Sequence, residues 1–240
     1  MSSELKILRL HLASLRGAGD TRDWPVHGFV VLHPRSGAIL IDTGVGGPQQ
    51  WLTDWRVVNR SVADALGEHD LSPADVKIVV NTHLHFDHCG QNAVFKHAPF
   101  YVQRTELERA RVQARALSDW FDFAGARFEL LDGDAEIAEG VRALATPGHT
   151  AGHQSVLVGT GSGEEVMIGD AAYTSALYRD PGREDLPPGQ AADRESWRRS
   201  LQRVHALNPR AVHFCHDVRV VRYQRGGNPH GSPHGPSLLR

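Results

Sequence analysis

The hydrophobic positions of the chain fall into short apolar runs that predict many buried strands. Most runs are bounded by Gly, Pro, Asp or Asn and are too short for helices, which is typical of strands inside a sheet. The predicted strands cover residues 5–12, 26–32, 38–41, 76–80, 100–102, 128–131, 135–137, 141–145, 154–158, 165–168 and 211–214.

Three segments show the spacing of amphipathic helices instead, namely residues 59–69, 105–116 and 191–207. The last of them places Trp197, Leu201 and Val204 on one face. The second begins with Thr105 and has Glu108 three residues later, which is the pattern of a helix capping box. Because strands followed by helices occur in both halves of the chain, we expect an α/β domain with two sheets and flanking helices.

Length and composition fit one globular domain and argue against several classes of protein. The 240 residues include 26 basic and 28 acidic side chains, so a nucleic-acid partner is not expected. Two cysteines exclude a disulfide framework. We expect residues 1–225 to form a single domain and residues 226–240, rich in Gly, Pro, His and Ser, to form a flexible tail.

The apolar runs are also too short to span a membrane, and no membrane partner is expected. No stretch approaches 18 apolar residues, and the first dozen residues lack the basic region, apolar run and cleavage site of a secretory signal. The sequence therefore predicts a cytoplasmic protein.

The clearest chemical signal is a histidine-rich string that follows the predicted strand at 76–80. The string reads THLHFDHCG and contains His83, His85, Asp87 and His88 within six residues. Side chains two apart in an extended chain share a face, so the first two histidines can point to one place. Imidazole and carboxylate together favour Zn²⁺ and also suit Fe²⁺, Mn²⁺, Co²⁺ or Ni²⁺. The string predicts a metal site at the end of a strand.

Three more candidate ligands directly follow later predicted strands. They are His149, Asp170 and His216. A single histidine after a strand is usually structural, and a single Asp after Gly is usually a turn residue. Their joint occurrence with the first cluster strengthens the interpretation as a metal site.

Together these motifs resemble the metallo-β-lactamase superfamily, whose pattern is H-x-H-x-D-H followed by a distant His, Asp and His. The resemblance extends from about Val26 to Val218 and includes the DTG string at 42–44. It implies a four-layer αβ/βα sandwich, in which two mixed β-sheets pack face to face with helices outside and metals at one edge.

The same resemblance implies two divalent metal ions, most often Zn²⁺, and a hydroxide between them that attacks an ester carbonyl. Each metal would keep an open coordination position, as catalytic metals do. One metal would take His83, His85 and His149, the second would take Asp87, His88 and His216, and Asp170 would bridge both.

Within the superfamily the chain is similar to the N-acyl-homoserine lactone lactonases, the quorum-quenching branch. The matching strings are HLHFDH at 83–88, YVQRTE at 101–106, TPGHTAGHQS at 146–155 and DAAYT at 170–174. In that branch a Tyr three residues after the bridging Asp contacts the substrate, and Tyr173 holds that place. The resemblance implies a lactone or ester substrate, a catalytic role for Asp87 and Tyr173, and a homodimer. Phe86, between two candidate ligands, is expected to contact the substrate.

Alternatives remain open on the same dinuclear site. A thioesterase, an arylesterase or a phosphotriesterase-like enzyme could use these ligands, whereas a nuclease is disfavoured because the chain has no extended basic segment. Asp42 could accept a hydrogen bond from a liganding histidine or cap a turn. His153 could orient His149 or Asp170, or be an ordinary core residue.

Overall fold

The computed structural model describes residues 4–17, 22–114, 118–223 and 237–239, and they form two seven-stranded sheets with helices. The strands are β1 Lys6–Leu15, β2 Trp24–His33, β3 Gly37–Ile41, β4 Val58–Asn59, β5 Val76–Val80, β6 Phe100–Gln103, β7 Phe128–Leu131, β8 Ala135–Ala138, β9 Val141–Ala145, β10 Gln154–Thr160, β11 Gly163–Met167, β12 Ala211–His213, β13 Val220–Arg222 and β14 Ser237–Leu239. The helices are α1 Gln49–Asp54, α2 Val62–Gly67, α3 Phe86–Cys89, α4 Arg104–Ala114, α5 Ser175–Arg179 and α6 Arg194–Ala206.

Both sheets are mixed, as the sequence predicts. The first has the order β4-β1-β2-β3-β5-β6-β7 and the second the order β14-β13-β12-β11-β10-β9-β8. The pairs β3–β5, β5–β6, β6–β7 and β11–β12 are parallel, while the other pairs are antiparallel. The predicted fold class of two mixed sheets with helices is therefore confirmed.

Apolar side chains from the two sheets meet face to face and form one core. The first sheet contributes Phe29, Val31, Ile39, Ile41 and Val80, and the second contributes Val141, Ala143, Val156, Val158 and Met167. Such interdigitation of two inner faces is the usual way in which stacked sheets pack. The strand ends at the edge of this sandwich are consequently held rigidly.

Helices cover the outer faces of the sandwich. In α6, Trp197, Leu201 and Val204 are fully buried against the second sheet, as their spacing predicts. Asp193 caps this helix by accepting hydrogen bonds from the N–H groups of the next turn. Burying each of the three apolar side chains stabilises the fold by about 1.5–3 kcal/mol.

The capping box predicted at Thr105 is wrong. Helix α4 begins at Arg104, directly after β6, so Thr105 lies inside the helix. The last residue of β6, Gln103, exchanges two side-chain hydrogen bonds with the backbone of Gly133, at 2.8 and 2.9 Å. This tie holds the strand end in place, and since β6 continues directly into α4 there is no loop in which a cap residue could sit.

The tail predicted for residues 226–240 lies outside the described residues except for Ser237–Leu239, which pairs antiparallel with β13. None of the helices in the described part of the chain is long and apolar enough to cross a bilayer.

A close backbone contact joins the loop after β3 to α3. Gly46 donates to the carbonyl of Phe86 at 2.9 Å, and Gly90 donates to the carbonyl of Gly44 at 2.8 Å. A Cβ added at Gly90 would lie 1.8 Å from the backbone nitrogen of Gly46, so only glycine fits.

We expect Gly90→Ala to lower the free energy of unfolding by roughly 1–3 kcal/mol, because the two backbones must separate. Urea denaturation measures this effect. The control is Gly67→Ala at the end of α2, where an added Cβ meets no described atom within 4 Å. That variant should match the parent protein or gain up to about 1 kcal/mol. Equal stability of the two variants would contradict the proposed steric conflict.

Candidate metal centre

All seven candidate ligands lie just beyond the C-terminal ends of strands. His83 and His85 lie between β5 and α3, Asp87 and His88 lie in α3, His149 follows β9, Asp170 lies in a 3-10 turn after β11, and His216 follows β12. The strands belong to both sheets, so the site forms where the two sheets meet at one edge.

The first group of ligands consists of three imidazoles and one carboxylate oxygen. His83 Nε2 lies 3.0 Å from His85 Nδ1, and His149 Nε2 lies 3.2 and 3.1 Å from these two nitrogens. Asp170 Oδ2 lies 3.3 Å from His149 Nε2. Ligand atoms around tetrahedral Zn²⁺ are about 3.3 Å apart, given bonds of about 2.0–2.1 Å. The spacing of this group fits a metal ion at its centre.

The second group faces the other oxygen of Asp170. His88 Nε2 and His216 Nε2 each lie 3.3 Å from Asp170 Oδ1. Asp87 Oδ2 lies 3.5 Å from His216 Nε2 and 3.7 Å from His88 Nε2. Cys215 Sγ is also near, but its thiol donates to the carbonyl of His27 at 3.1 Å. Asp170 therefore stands between two groups with one oxygen toward each.

The buried carboxylate of Asp170 indicates that a cation binds here. Asp170 is 3% exposed, and its Oδ1 has no hydrogen-bond partner among the described residues. A buried carboxylate oxygen without a partner is costly unless it coordinates a metal or meets a positive charge. The residues present thus fit a pair of divalent metal ions.

The pKa values of the histidines differ between the two ligand groups. Burial lowers the pKa of His83 well below its usual value and lowers those of His85 and His149 to about 4, so these imidazoles are neutral. Burial alone would also lower the pKa values of His88 and His216, but neighbouring acidic groups, with Asp170 prominent among them, raise both. The pKa of His216 reaches about 10. A cation in the second group would replace these protons, since metal ligands bind in the deprotonated form.

The far nitrogen of several histidines has a partner that orients the ring. His88 Nδ1 lies 2.8 Å from Asp42 Oδ2, His149 Nδ1 donates to the carbonyl of Gln190 at 3.2 Å, and His216 Nδ1 donates to the carbonyl of Pro25 at 2.8 Å. Such contacts fix the tautomer and leave Nε2 free to face the centre.

Of the two alternatives for Asp42, the contact with a liganding histidine is the one that the structure shows. Besides contacting His88, its carboxylate accepts hydrogen bonds from the backbone N–H and the hydroxyl of Thr82, each at 2.8 Å. His153 acts on Asp170 rather than on His149. Its Nε2 accepts a hydrogen bond from the Asp170 N–H at 2.9 Å.

Tyr173 lies over both groups. Its ring centroid is 5.6 Å from that of His149 and 5.4 Å from that of His216, one residue from each group. Burial raises the pKa of the phenol, so the hydroxyl keeps its proton at neutral pH. A cavity of about 370 Å³ opens beside His216 and is lined by Trp24 and Thr174 among others.

Phe86 belongs to an aromatic cluster beside the ligand string. Its ring lies 5.8 Å from that of Trp51 and 6.2 Å from that of Trp55, and Trp51 lies 6.1 Å from Trp120. The sequence indicates Phe86 by its position between ligands. It offers no comparable signal for Gln190, whose contact with His149 arises only in the folded chain.

A profile of the metallo-β-lactamase superfamily matches residues 21–216. The chain belongs to the metallo-β-lactamase superfamily, as the sequence motifs predict, and it is a metal-dependent hydrolase.

The relatives indicate a particular branch of this superfamily. An N-acyl homoserine lactonase of a Bacillus species is 31% identical over 85% of this chain and 86% of its own length. The N-acyl homoserine lactonase AttM of Agrobacterium fabrum (strain C58) is 30% identical over 92% and 89%. A solved N-acyl homoserine lactone hydrolase, with the product N-hexanoyl-L-homoserine at its catalytic metal centre, has a TM-score of 0.74 at 25% identity, covering 91% of this chain and 94% of its own. The predicted similarity to the lactonases is confirmed.

We expect Asp170→Asn to bind markedly less metal, because an amide nitrogen cannot serve as the second bridging ligand. Elemental analysis after dialysis against Zn²⁺ should show a fall from about two ions per chain to about one or fewer. The matched control is Asp132→Asn, since Asp132 is an exposed carboxylate paired with Arg104 at 3.0 Å. Retention of full metal content by Asp170→Asn would show that this residue does not bridge two ions.

Proposed function

We propose that this chain opens the lactone ring of N-acyl-homoserine lactones at a centre of two divalent metal ions, with Zn²⁺ favoured. The observation that carries the proposal is Asp170, whose two oxygens face separate ligand groups while Tyr173 lies over both. Two relatives that are 30–31% identical to this chain, and that align with it over most of their length, are N-acyl homoserine lactonases. A solved lactone hydrolase of the same fold holds its ring-opened product at the metals.

The ligand assignment follows the two groups. One ion would be held by His83, His85, His149 and Asp170, and the other by Asp87, His88, Asp170 and His216. Bound there, a pair of divalent cations would polarise the ester carbonyl and lower the pKa of a water molecule toward about 7.

Tyr173 stabilises the charge that develops on the carbonyl oxygen. Its hydroxyl is protonated, since burial raises the pKa of the phenol, and it has no hydrogen-bond partner within the part of the chain that the structure describes. It is therefore available to donate to the oxygen that becomes negative as water adds to the carbonyl carbon.

Asp87 moves the proton. Its Oδ2 faces His88 and His216 in the second group, so it can take a proton from the attacking water. The bond between the carbonyl carbon and the ring oxygen then breaks, and Asp87 returns the proton to that oxygen. The product carries a carboxylic acid and a hydroxyl, and the acid then releases its proton to solvent at neutral pH, so atoms and charge balance.

The acyl chain packs against the aromatic cluster. Phe86, Trp51, Trp55 and Trp120 offer a continuous apolar surface next to the ligand string, and Trp55 is 43% exposed, so the surface is accessible.

A cytoplasmic location and a homodimer complete the proposal, and size-exclusion chromatography tests the dimer.

A substrate series distinguishes this activity from the alternatives on the same site. Zn²⁺-loaded protein should release acid from N-acyl-homoserine lactones in a pH-stat at a kcat/KM at least about 100-fold above that for acyl thioesters, aryl esters or paraoxon. A higher kcat/KM for any of these three classes would reassign the enzyme to that class.

Tyr173→Phe should lower kcat for the lactone by roughly 10- to 1000-fold, because one donor to the developing charge is lost. Metal content should stay unchanged, since Tyr173 is not a proposed ligand. The matched control is Tyr101→Phe, in which the lost hydroxyl lies on β6 among side chains of the core between the sheets. Unaltered kinetics in Tyr173→Phe would remove this residue from the reaction.

A further inference from the structure

One fully buried side chain, that of Gln190, touches both ends of the turn that carries the site. Its Nε2 donates to the carbonyl of Asp170 at 2.7 Å, and its Oε1 accepts from the N–H of Tyr173 at 3.1 Å. The backbone carbonyl of Gln190 accepts from His149 Nδ1 at 3.2 Å. Gln190 therefore contacts Asp170, the proposed bridging ligand, as well as Tyr173 and His149.

The amide of Gln190 closes the turn from Asp170 to Tyr173. A planar group with one donor and one acceptor satisfies a carbonyl at the start of the turn and an N–H at its end. The separation between the Asp170 carboxylate and the Tyr173 phenol depends on that turn. Only Asn and Gln carry such a group, and Asn is one methylene shorter.

The segment before Gln190 lies beside the phenol itself. Gly189 has φ +80, and a Cβ added to it would lie 3.2 Å from Tyr173 Oη. The N–H of Gln190 donates to the carbonyl of Pro187 at 3.1 Å, which shapes this end of the loop between α5 and α6. The loop thus limits the positions open to the Tyr173 side chain.

We propose that Gln190 is a positioning residue that holds the phenol of Tyr173 at a set distance from Asp170 during lactone hydrolysis. This inference rests on the proposed function. Gln190 acts through the turn and makes no contact with substrate. Its side chain bonds to the backbone of Asp170 and not to the carboxylate, and His149 contacts the Gln190 backbone carbonyl alone, so replacing the side chain leaves the ligand atoms in place.

A double-mutant cycle with Tyr173 tests the inference. Gln190→Met keeps the length of the side chain but removes both hydrogen bonds. In Zn²⁺-loaded protein it should lower kcat by about 10- to 100-fold with little change in KM. In the Tyr173→Phe background the same change should lower kcat by less than about threefold, because there is no phenol left to misplace.

A second glutamine provides a matched control. Gln103 also closes a backbone segment with one donor and one acceptor, on Gly133. Its Nε2 donates to Gln154 Oε1 at 2.8 Å as well, but it touches neither Asp170 nor Tyr173. Gln103→Met should lower the thermal midpoint about as much as Gln190→Met does, yet keep kcat within about threefold of the parent in both backgrounds.

Two readouts besides activity accompany the cycle. Metal content and the absorption spectrum of Co²⁺-loaded protein should be the same in Gln190→Met and the parent. Altered Co²⁺ bands or lost metal would overturn the inference, because Gln190 would then act through the ligands. An equal loss of kcat in both backgrounds, or no loss at all, would also overturn it. If Gln190→Met does not fold, Gln190→Glu, which keeps the acceptor for the Tyr173 N–H, enters the same cycle.

Failure of the proposed function is distinguishable from failure of this inference. A parent protein that carries two metal ions but opens no lactone would refute the proposed function before any variant is compared. An active parent with a multiplicative loss in the cycle refutes only the role of Gln190.

Discussion

The structure depends on holding a carboxylate, that of Asp170, inside the protein between two groups of imidazoles. A buried negative charge is tolerated only when opposite charge or donors surround it. Here the compensation comes from the nitrogens of His88 and His216, each 3.3 Å from one carboxylate oxygen, and, by proposal, from two metal ions. Neighbouring histidines hold the pKa of Asp170 well below its usual value in spite of burial, so the carboxylate remains ionised as a bridging ligand requires.

The sandwich provides the rigidity that this arrangement requires. Ligands come from loops at the ends of β5, β9, β11 and β12, and the apolar core between the sheets fixes those ends relative to each other. Supporting acceptors come from yet other elements, with Asp42 following β3 and Pro25 lying in β2. Because each ligand is oriented by a different part of the chain, the site forms only when both sheets have packed.

The two ligand groups have different chemical surroundings. Burial keeps the imidazoles of His83, His85 and His149 neutral, whereas the second group adds the carboxylate of Asp87 and draws its histidines toward the protonated form. Tyr173 contacts one histidine of each group, so its phenol faces the space between them. In the proposed reaction, this arrangement supplies a charge-stabilising donor, Tyr173, and a proton acceptor, Asp87.

Local patterns in the sequence determined much of the fold and the family. The bounds predicted for β5, β7 and β9 agree with the structure, since buried strands have a simple apolar signature, and the string at 82–90 carries four candidate ligands within one short segment. Only the tertiary structure decided which residues hydrogen-bond to the candidate ligands and to their neighbours. The capping pattern at Thr105 does not operate because β6 continues directly into α4, and Gln190 reaches His149 and Asp170 from 41 and 20 positions away. Contacts between residues so distant in the chain produce no recognisable pattern in the sequence, because they arise only when complete helices and strands pack together.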